Sequence, residues 1–247
     1  MSPIGFWIFW VLGLAVSTLI GAWVVKHIRP MGYMVLGGFL AIYVVSANIL
    51  VPRLINFSIF GLSFVLVSGS IIWPYTSQLT DMINEIYGKK AAYLTAVMAY
   101  VANLMFVGFT FMAFNLPPLW DAQQEGWFTQ FFGVAGRVVV ASICSYTLAN
   151  LADINFFAWI KKVFASAEDN GCSMLLFSTL RSAGSDVINM VIDNVVFYTI
   201  AFYGTMPNEI LLGLIGSSMA AKVILSQIDL PFYWLFRMMT KGVERTF

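Results

Sequence analysis

Residues 89–114 read KKAAYLTAVMAYVANLMFVGFTFMAF, two lysines followed by 24 residues without a charge. As a helix, 24 residues measure about 36 Å at about 1.5 Å per residue, more than the roughly 30 Å hydrocarbon core of a bilayer. With no charged face to turn to water, the stretch reads as a membrane span that ends at its lysine pair. Six more apolar runs resemble it, at 6–25, 33–51, 59–79, 133–159, 174–203 and 210–238.

Composition carries the same message. Of the 247 residues 60% are apolar, 16% aromatic and 10% charged, where a soluble domain carries about 25% charge. Thirteen basic and 12 acidic residues cannot coat a water-soluble surface. A lipid-exposed backbone must satisfy its own hydrogen bonds, and the alternation of a barrel strand is missing, so the expected fold is an all-α transmembrane bundle of seven spans. It forms one integral membrane domain over 1–247. The last two runs are longer than a crossing needs, and such spans tilt, break or begin with a re-entrant piece. Because Lys26 and Arg29 follow the first apolar run, that run is expected to stay in the mature chain as a helix and not to be cleaved as a signal peptide.

Basic residues set the orientation. Lys26, Arg29, Lys89, Lys90, Lys161, Lys162, Arg237, Lys241 and Arg245 occupy alternate connections and the C-terminus, while Arg53 stands alone on the other side. By the positive-inside rule the N-terminus is outside and the C-terminus cytoplasmic, in a plasma membrane. Residues 115–130, with Pro117, Pro118, Trp120, Trp127 and Phe128, read as an external cap in the interface. Net charge +1 gives no reason to expect nucleic acid. Cys144 and Cys172 form neither a disulfide framework nor a metal pattern and read as packing residues. No nucleotide loop, metal-binding cluster or hydrolytic triad is present, so neither a cofactor nor an enzyme is expected. Asp153 and Asp193 match the count, but not the motifs, of an intramembrane aspartyl protease.

Function therefore rests on polar residues inside the spans. Arg137, Arg181, Lys222, Asp81, Asp153, Asp186 and Asp193 lie in or beside them, and each would cost about 2.5 to 3.5 kcal/mol facing lipid at mid-depth. Asp81 and Asp153 each precede a lysine by eight residues, which puts both about 12 Å inside that edge. Counting also brings Asp193 and Lys222 into a central slab. Helical steps make stripes of Gln78, Asp81 and Glu85; of Tyr146, Asn150 and Asp153; of Asp186, Asn189 and Asp193; and of Ser218, Lys222 and Ser226. Trp73 and Pro74 precede the first stripe, where the proline can break a helix. Structural readings stand beside these. Asp193 with Lys222, or Asp153 with Arg137 or Arg181, serves equally well as an ion pair of the bundle; Asn48, Asn103, Asn150 and Asn189 serve as interhelical glue. Asp186 reads as a cap for the second half of a broken sixth span, Glu85 as a solvated residue near the edge, and His27 as an interfacial one.

The stretch PYTSQLTDMINEIYGKK, residues 74–90, resembles the signature of the queuosine precursor transporter family, also called the vitamin uptake transporter family. Asn150 and Asp153 followed by Phe156, Phe157 and Lys161-Lys162, then Asp193 before Phe197 and Gly204, and Lys222 before Asp229, Pro231 and Tyr233, are similar to its later segments. The likeness runs from about Ala41 to Tyr233. It implies a six-helix core over 33–238, similar in outline to the substrate-binding components of energy-coupling-factor transporters, preceded by an extra helix at 6–25. It also implies uptake of 7-cyano-7-deazaguanine or its aminomethyl relative by secondary or facilitative transport. The rival readings are a binding subunit for another vitamin or nucleobase served by a separate ATPase, and a non-transporting scaffold; a homodimer is compatible with all of them.

The implied ligand is a flat aromatic with two N–H donors beside a carbonyl. A carboxylate from Asp81, Asp153 or Asp193 can accept from both donors, Gln78, Asn150, Asn189 or Lys222 can donate to the carbonyl, and Trp73 or Tyr146 can stack on the face. Arg181 completes the set of candidate substrate-binding residues.

Overall fold

The computed structural model describes residues 3–59, 61–119, 121–133, 135–169 and 174–245. Seven α-helices make up most of it: α1 (Pro3–His27), α2 (Arg29–Leu50), α3 (Trp73–Phe114), α4 (Ala122–Gly133), α5 (Ala135–Asp169), α6 (Met174–Phe202) and α7 (Asn208–Met239). Stretches of α1, α2, α3 and α7 are long and apolar enough to cross a membrane. Their outer faces agree: Phe9, Leu12, Met34, Met105, Phe111 and Leu212 are all exposed, an apolar surface that water does not tolerate over such an area. The protein is a multi-pass membrane protein.

The expected span at 59–79 is not formed. Instead Leu54–Ile59 (β1) and Leu62–Val67 (β2) pair as an antiparallel hairpin, with Phe57 opposite Phe64 and Ser58 opposite Ser63. Gly61 carries the positive φ of its turn. A 3₁₀ turn, Ser68–Ile72, follows, and α3 begins at Trp73. Pro74 stands in the first turn of α3, where its missing N–H is harmless, so it starts a helix where a broken one was expected.

The rod that does run the depth of the bundle is shifted along the chain. Ser68 Oγ donates to the carbonyl of Leu50 at 2.6 Å, at one end of α2, and Tyr87 Oη donates to that of Arg29 at 2.6 Å, at the other. Five 3₁₀ residues and fifteen α residues between those points give about 32 Å. Gly88, with φ 79° and ψ 176°, then breaks α3 in a region of backbone space open essentially to glycine alone. The two halves differ in chemistry. Residues 73–87 bury nearly every side chain, Ser77, Gln78, Thr80, Asp81, Asn84 and Glu85 included, whereas 89–114 turn Leu94, Val97, Met98 and Met105 outward.

Helix α1 is built into this arrangement. Trp10 Nε1 donates to the carbonyl of Ile71 at 2.8 Å, Tyr75 donates to that of Trp10, and Gln78 Nε2 donates to Thr18 Oγ1 at 3.4 Å. Apolar packing among Leu14, Phe57, Leu66, Tyr75 and Leu225 joins the hairpin, α1 and α7. The 3₁₀ turn is held as tightly by α2. A Cβ added to Gly69 would lie 2.3 Å from the backbone oxygen of Ala47. Gly69→Ala is therefore expected to cost about 1 to 3 kcal/mol as an overpacking change, read as a lowered melting temperature in detergent.

One other expectation changes, that of a broken sixth span. Residues 115–130, read as an interfacial cap, contain a helix: α4 starts at Ala122 with Asp121 Oδ1 accepting from Gln124 N at 2.8 Å; Trp120 lies outside the described residues. Helix α6 runs unbroken, so no second half awaits a cap at Asp186, whose side chain is outside the described residues. Cys172 is outside them too, and Cys144 is a half-buried free thiol.

Candidate functional site

A cavity opens between α2, the 3₁₀ turn, α3, α5, α6 and α7, in the half of the bundle near the hairpin. The hairpin's second strand closes one side through Val67, whose N–H points to Tyr198 Oη at 3.4 Å. Trp73, Tyr146, Asp193 and Lys222 all line this cavity. They come from four elements, and each is delivered by its local geometry. Trp73 is the first residue of α3 after the 3₁₀ turn. Asp193 and Lys222 sit on facing surfaces of α6 and α7, and Tyr146 projects from α5.

The charges at the centre are a pair. Lys222 Nζ donates to Asp193 Oδ2 at 2.6 Å and lies 5.5 Å from the centroid of the Trp73 ring. Lys222 is nearly buried, with 4% of its side chain exposed, while Asp193 retains 20%. A cation over an aromatic face and against a carboxylate is stabilised twice, which offsets its desolvation. The carboxylate keeps a second oxygen for another donor. Nearby, Tyr146 Oη is buried with no hydrogen-bond partner among the described residues. Asn48, Ser70, Thr76, Ser142 and Ser145 add polar groups to the walls, with Ser142 donating to Asn48 Oδ1.

The remaining expected residues are placed elsewhere. Asn150 lines a groove between α3 and α5 on the far side of Tyr146, with its Nδ2 on the Tyr146 carbonyl at 2.8 Å. Gln78, Asp81, Asp153 and Asn189 are buried but do not line the cavity. Counting depth along single helices put Asp81 and Asp153 in one slab with Asp193 and Lys222; packing keeps Asp81 and Asp153 off the wall that Asp193 and Lys222 share, with Asp153 about two turns from Lys161 of the basic end. The Arg181 side chain lies outside the described residues. Arg137 does not pair with Asp153: its guanidinium donates to the carbonyls of Ile200 (2.6 Å) and Tyr203, at the end of α6, where a cation is favoured.

The reading of Glu85 as a solvated residue is overturned. Its side chain is 0% exposed, with Arg237 Nε at 3.2 Å and Arg245 Nη1 at 3.0 Å from Oε1, and with Tyr233 Oη donating to Oε2 at 3.5 Å. Lys161 and Arg237, read from sequence as surface anchors, are buried as well. Lys161 Nζ donates to the carbonyls of Asn84 and Glu85 at 3.0 and 2.7 Å, capping the C-terminal end of residues 73–87. These groups seal the bundle at the end opposite the cavity.

Asn48, Ser142, Ser145 and Tyr198 were not expected in the site. An isolated asparagine in the apolar run 33–51 was the one signal available, and it was equally consistent with interhelical glue.

A family model described as "Putative vitamin uptake transporter" matches residues 67–236, an interval that contains Trp73, Tyr146, Asp193 and Lys222. The chain is 27% identical over 240 residues to a "Probable queuosine precursor transporter" of Bacillus subtilis (strain 168), covering 96% of this chain and 97% of that protein. No solved structure matches the chain significantly.

Proposed function

The chain belongs to the vitamin uptake transporter family, and from that membership we propose that it imports a queuosine precursor, 7-cyano-7-deazaguanine or its aminomethyl relative, across the plasma membrane. The relative's name supports this substrate class, and the Asp193–Lys222 pair beside Trp73 is the observation that carries the reading. A deazaguanine presents an amine, a ring N–H and a carbonyl in a row along one edge. A carboxylate and an ammonium held 2.6 Å apart present acceptors and a donor in the matching order. Asp193 takes the two N–H groups, Lys222 turns to the carbonyl, and Trp73 offers its face to the ring. The buried Tyr146 hydroxyl supplies one further hydrogen bond.

In this reading the chain crosses seven times, the third crossing being residues 68–87, with the N-terminus outside and the basic end cytoplasmic. The cavity then faces outward, and the Glu85 cluster closes the inner end. Transport is secondary or facilitative. Labelled 7-cyano-7-deazaguanine should accumulate in proteoliposomes holding this chain alone; accumulation only after an ATPase module is added would replace secondary transport by the binding-subunit alternative, and no ligand-dependent stabilisation by any deazapurine would end the substrate assignment.

Trp73 gives a graded check. Base stacking on an aromatic contributes about 1 to 3 kcal/mol, so Trp73→Ala is expected to weaken binding roughly 5- to 150-fold, measured by calorimetry on the purified protein, while Trp73→Phe recovers most of it.

A further inference from the structure

Two concavities lie end to end along the seam between α3 and α5, the second meeting the site above at Tyr146. The first sits at the basic end, lined by Tyr87, Gly88, Lys89, Lys90, Lys161 and Lys162, with no carboxylate among the described residues that line it. The second, of about 700 Å³, is walled by Tyr93, Ala96, Val97, Tyr100, Leu151 and Ile154 among others, and is mainly apolar. On α3 the step from Lys90 to Tyr93 is about one turn, and on α5 so is the step from Ala158 to Ile154, so the two spaces adjoin within about 5.4 Å. Lys89 links them, its Nζ lying 5.6 Å from the centroid of the Tyr93 ring.

We propose that this seam binds an anionic glycerophospholipid, with its phosphate in the lysine cavity and one acyl chain in the adjoining groove. Lysines that only mark topology would splay into water from separate loops. Here three exposed lysines from two helices, Lys89, Lys90 and Lys162, converge on one hollow, while Lys161 in its wall is held by the Asn84 and Glu85 carbonyls. Other basic residues of this end are occupied otherwise, Arg29 with Glu244 at 3.3 Å and Arg237 with Glu85. The break at Gly88 adds backbone: residues 89–114 start a new helix at the cavity, and the first N–H groups of a helix favour an anion. A phosphate alone would leave the groove unexplained. Val97 and Leu151 are exposed to the membrane beside it, which is where a chain attached to that phosphate would run. Basic hollows between helices at this surface are suited to anionic head groups.

The full chain, purified in detergent and stripped of lipid, would be titrated with phosphatidylglycerol, with phosphatidylcholine of the same chains, and with inorganic phosphate. Bound lipid would be counted by native mass spectrometry and stability followed by melting temperature. Phosphatidylglycerol is expected to stay bound and raise the melting temperature, and the other two to do neither. The triple variant Lys89→Gln, Lys90→Gln, Lys162→Gln should weaken phosphatidylglycerol binding by about two orders of magnitude, roughly fivefold for each lysine removed. Val97→Trp, which fills the groove from an exposed position, should weaken it while leaving the lysines and the lipid-free melt unchanged. Equal retention of phosphatidylcholine, or undiminished phosphatidylglycerol binding in both variants, overturns the proposal. An equal rise with inorganic phosphate overturns it in favour of a free-phosphate site.

Discussion

Replacing Asp193 with asparagine is expected to reduce uptake to the background of empty vesicles, with the protein still present in the membrane at the level of the unsubstituted chain. The substitution keeps the shape of the side chain and removes its charge, so Lys222, with 4% of its side chain exposed, keeps an ammonium beside a poorer acceptor. Truncating one partner of a buried, hydrogen-bonded charge pair costs about 2 to 5 kcal/mol, a factor of roughly 30 to several thousand in affinity. Asparagine also offers one acceptor oxygen where a deazaguanine edge presents two donors. Removing both charges, as Asp193→Asn with Lys222→Met, should return the melting temperature toward that of the unsubstituted chain without returning uptake. That contrast separates a ligand-binding pair from a merely structural one. Full uptake by the single variant would sink the site assignment.

Glu85→Gln is expected to have the largest effect on stability. Arg237 is 1% exposed and Arg245 22% exposed, and both guanidinium groups lie within 3.2 Å of one carboxylate oxygen. Neutralising that carboxylate takes a counter-ion from a buried guanidinium, and breaking such a pair costs about 3 to 5 kcal/mol. Against a typical total of about 5 to 15 kcal/mol, the variant should melt far below the unsubstituted protein in detergent. The paired change Glu85→Met with Arg237→Met should recover most of the loss, because well-packed apolar residues replace a buried ion pair at little cost. An unchanged melting temperature in Glu85→Gln would show that the cluster contributes nothing to stability.

How much of this was legible in the sequence depends on whether the deciding partner was close along the chain. Uninterrupted apolar runs report the helices directly, and α1, α2, α5, α6, α7 and the second half of α3 lie where those runs lie. The hairpin was missed because 59–79 was read by hydropathy alone. Its own signal was present at shorter period: Asn56 and Ser58 alternate with Ile55, Phe57 and Ile59, Ser63 with Leu62 and Phe64, and Gly61 stands between them. Trp73, Asp193 and Lys222 were legible as candidates, since a polar residue in an apolar run needs a reason. That the first comes beside the last, and that Asp81 and Asp153 stay apart from both, is decided by packing between helices. Glu85 was misread for the same cause. Lys161 reaches its carbonyl from 76 residues away and Tyr233 its carboxylate from 148, so counting from the nearest lysine registers only a position near an edge.

The break at Gly88 divides α3 into a half that lipid accepts and a half that it does not, and this orders the protein's biogenesis. Residues 89–114 can partition from the translocon unaided. Residues 68–87 carry Asp81 and Glu85, each unfavourable by about 2.5 to 3.5 kcal/mol at mid-bilayer, and the arginines that neutralise Glu85 are synthesised only with and after α7. Residues 68–87 must therefore be held at the insertion machinery, or enter as a pair with the half that follows them, until the last helix arrives. Assembly of this bundle finishes in its middle, where an early helix is locked by the chain's latest residues.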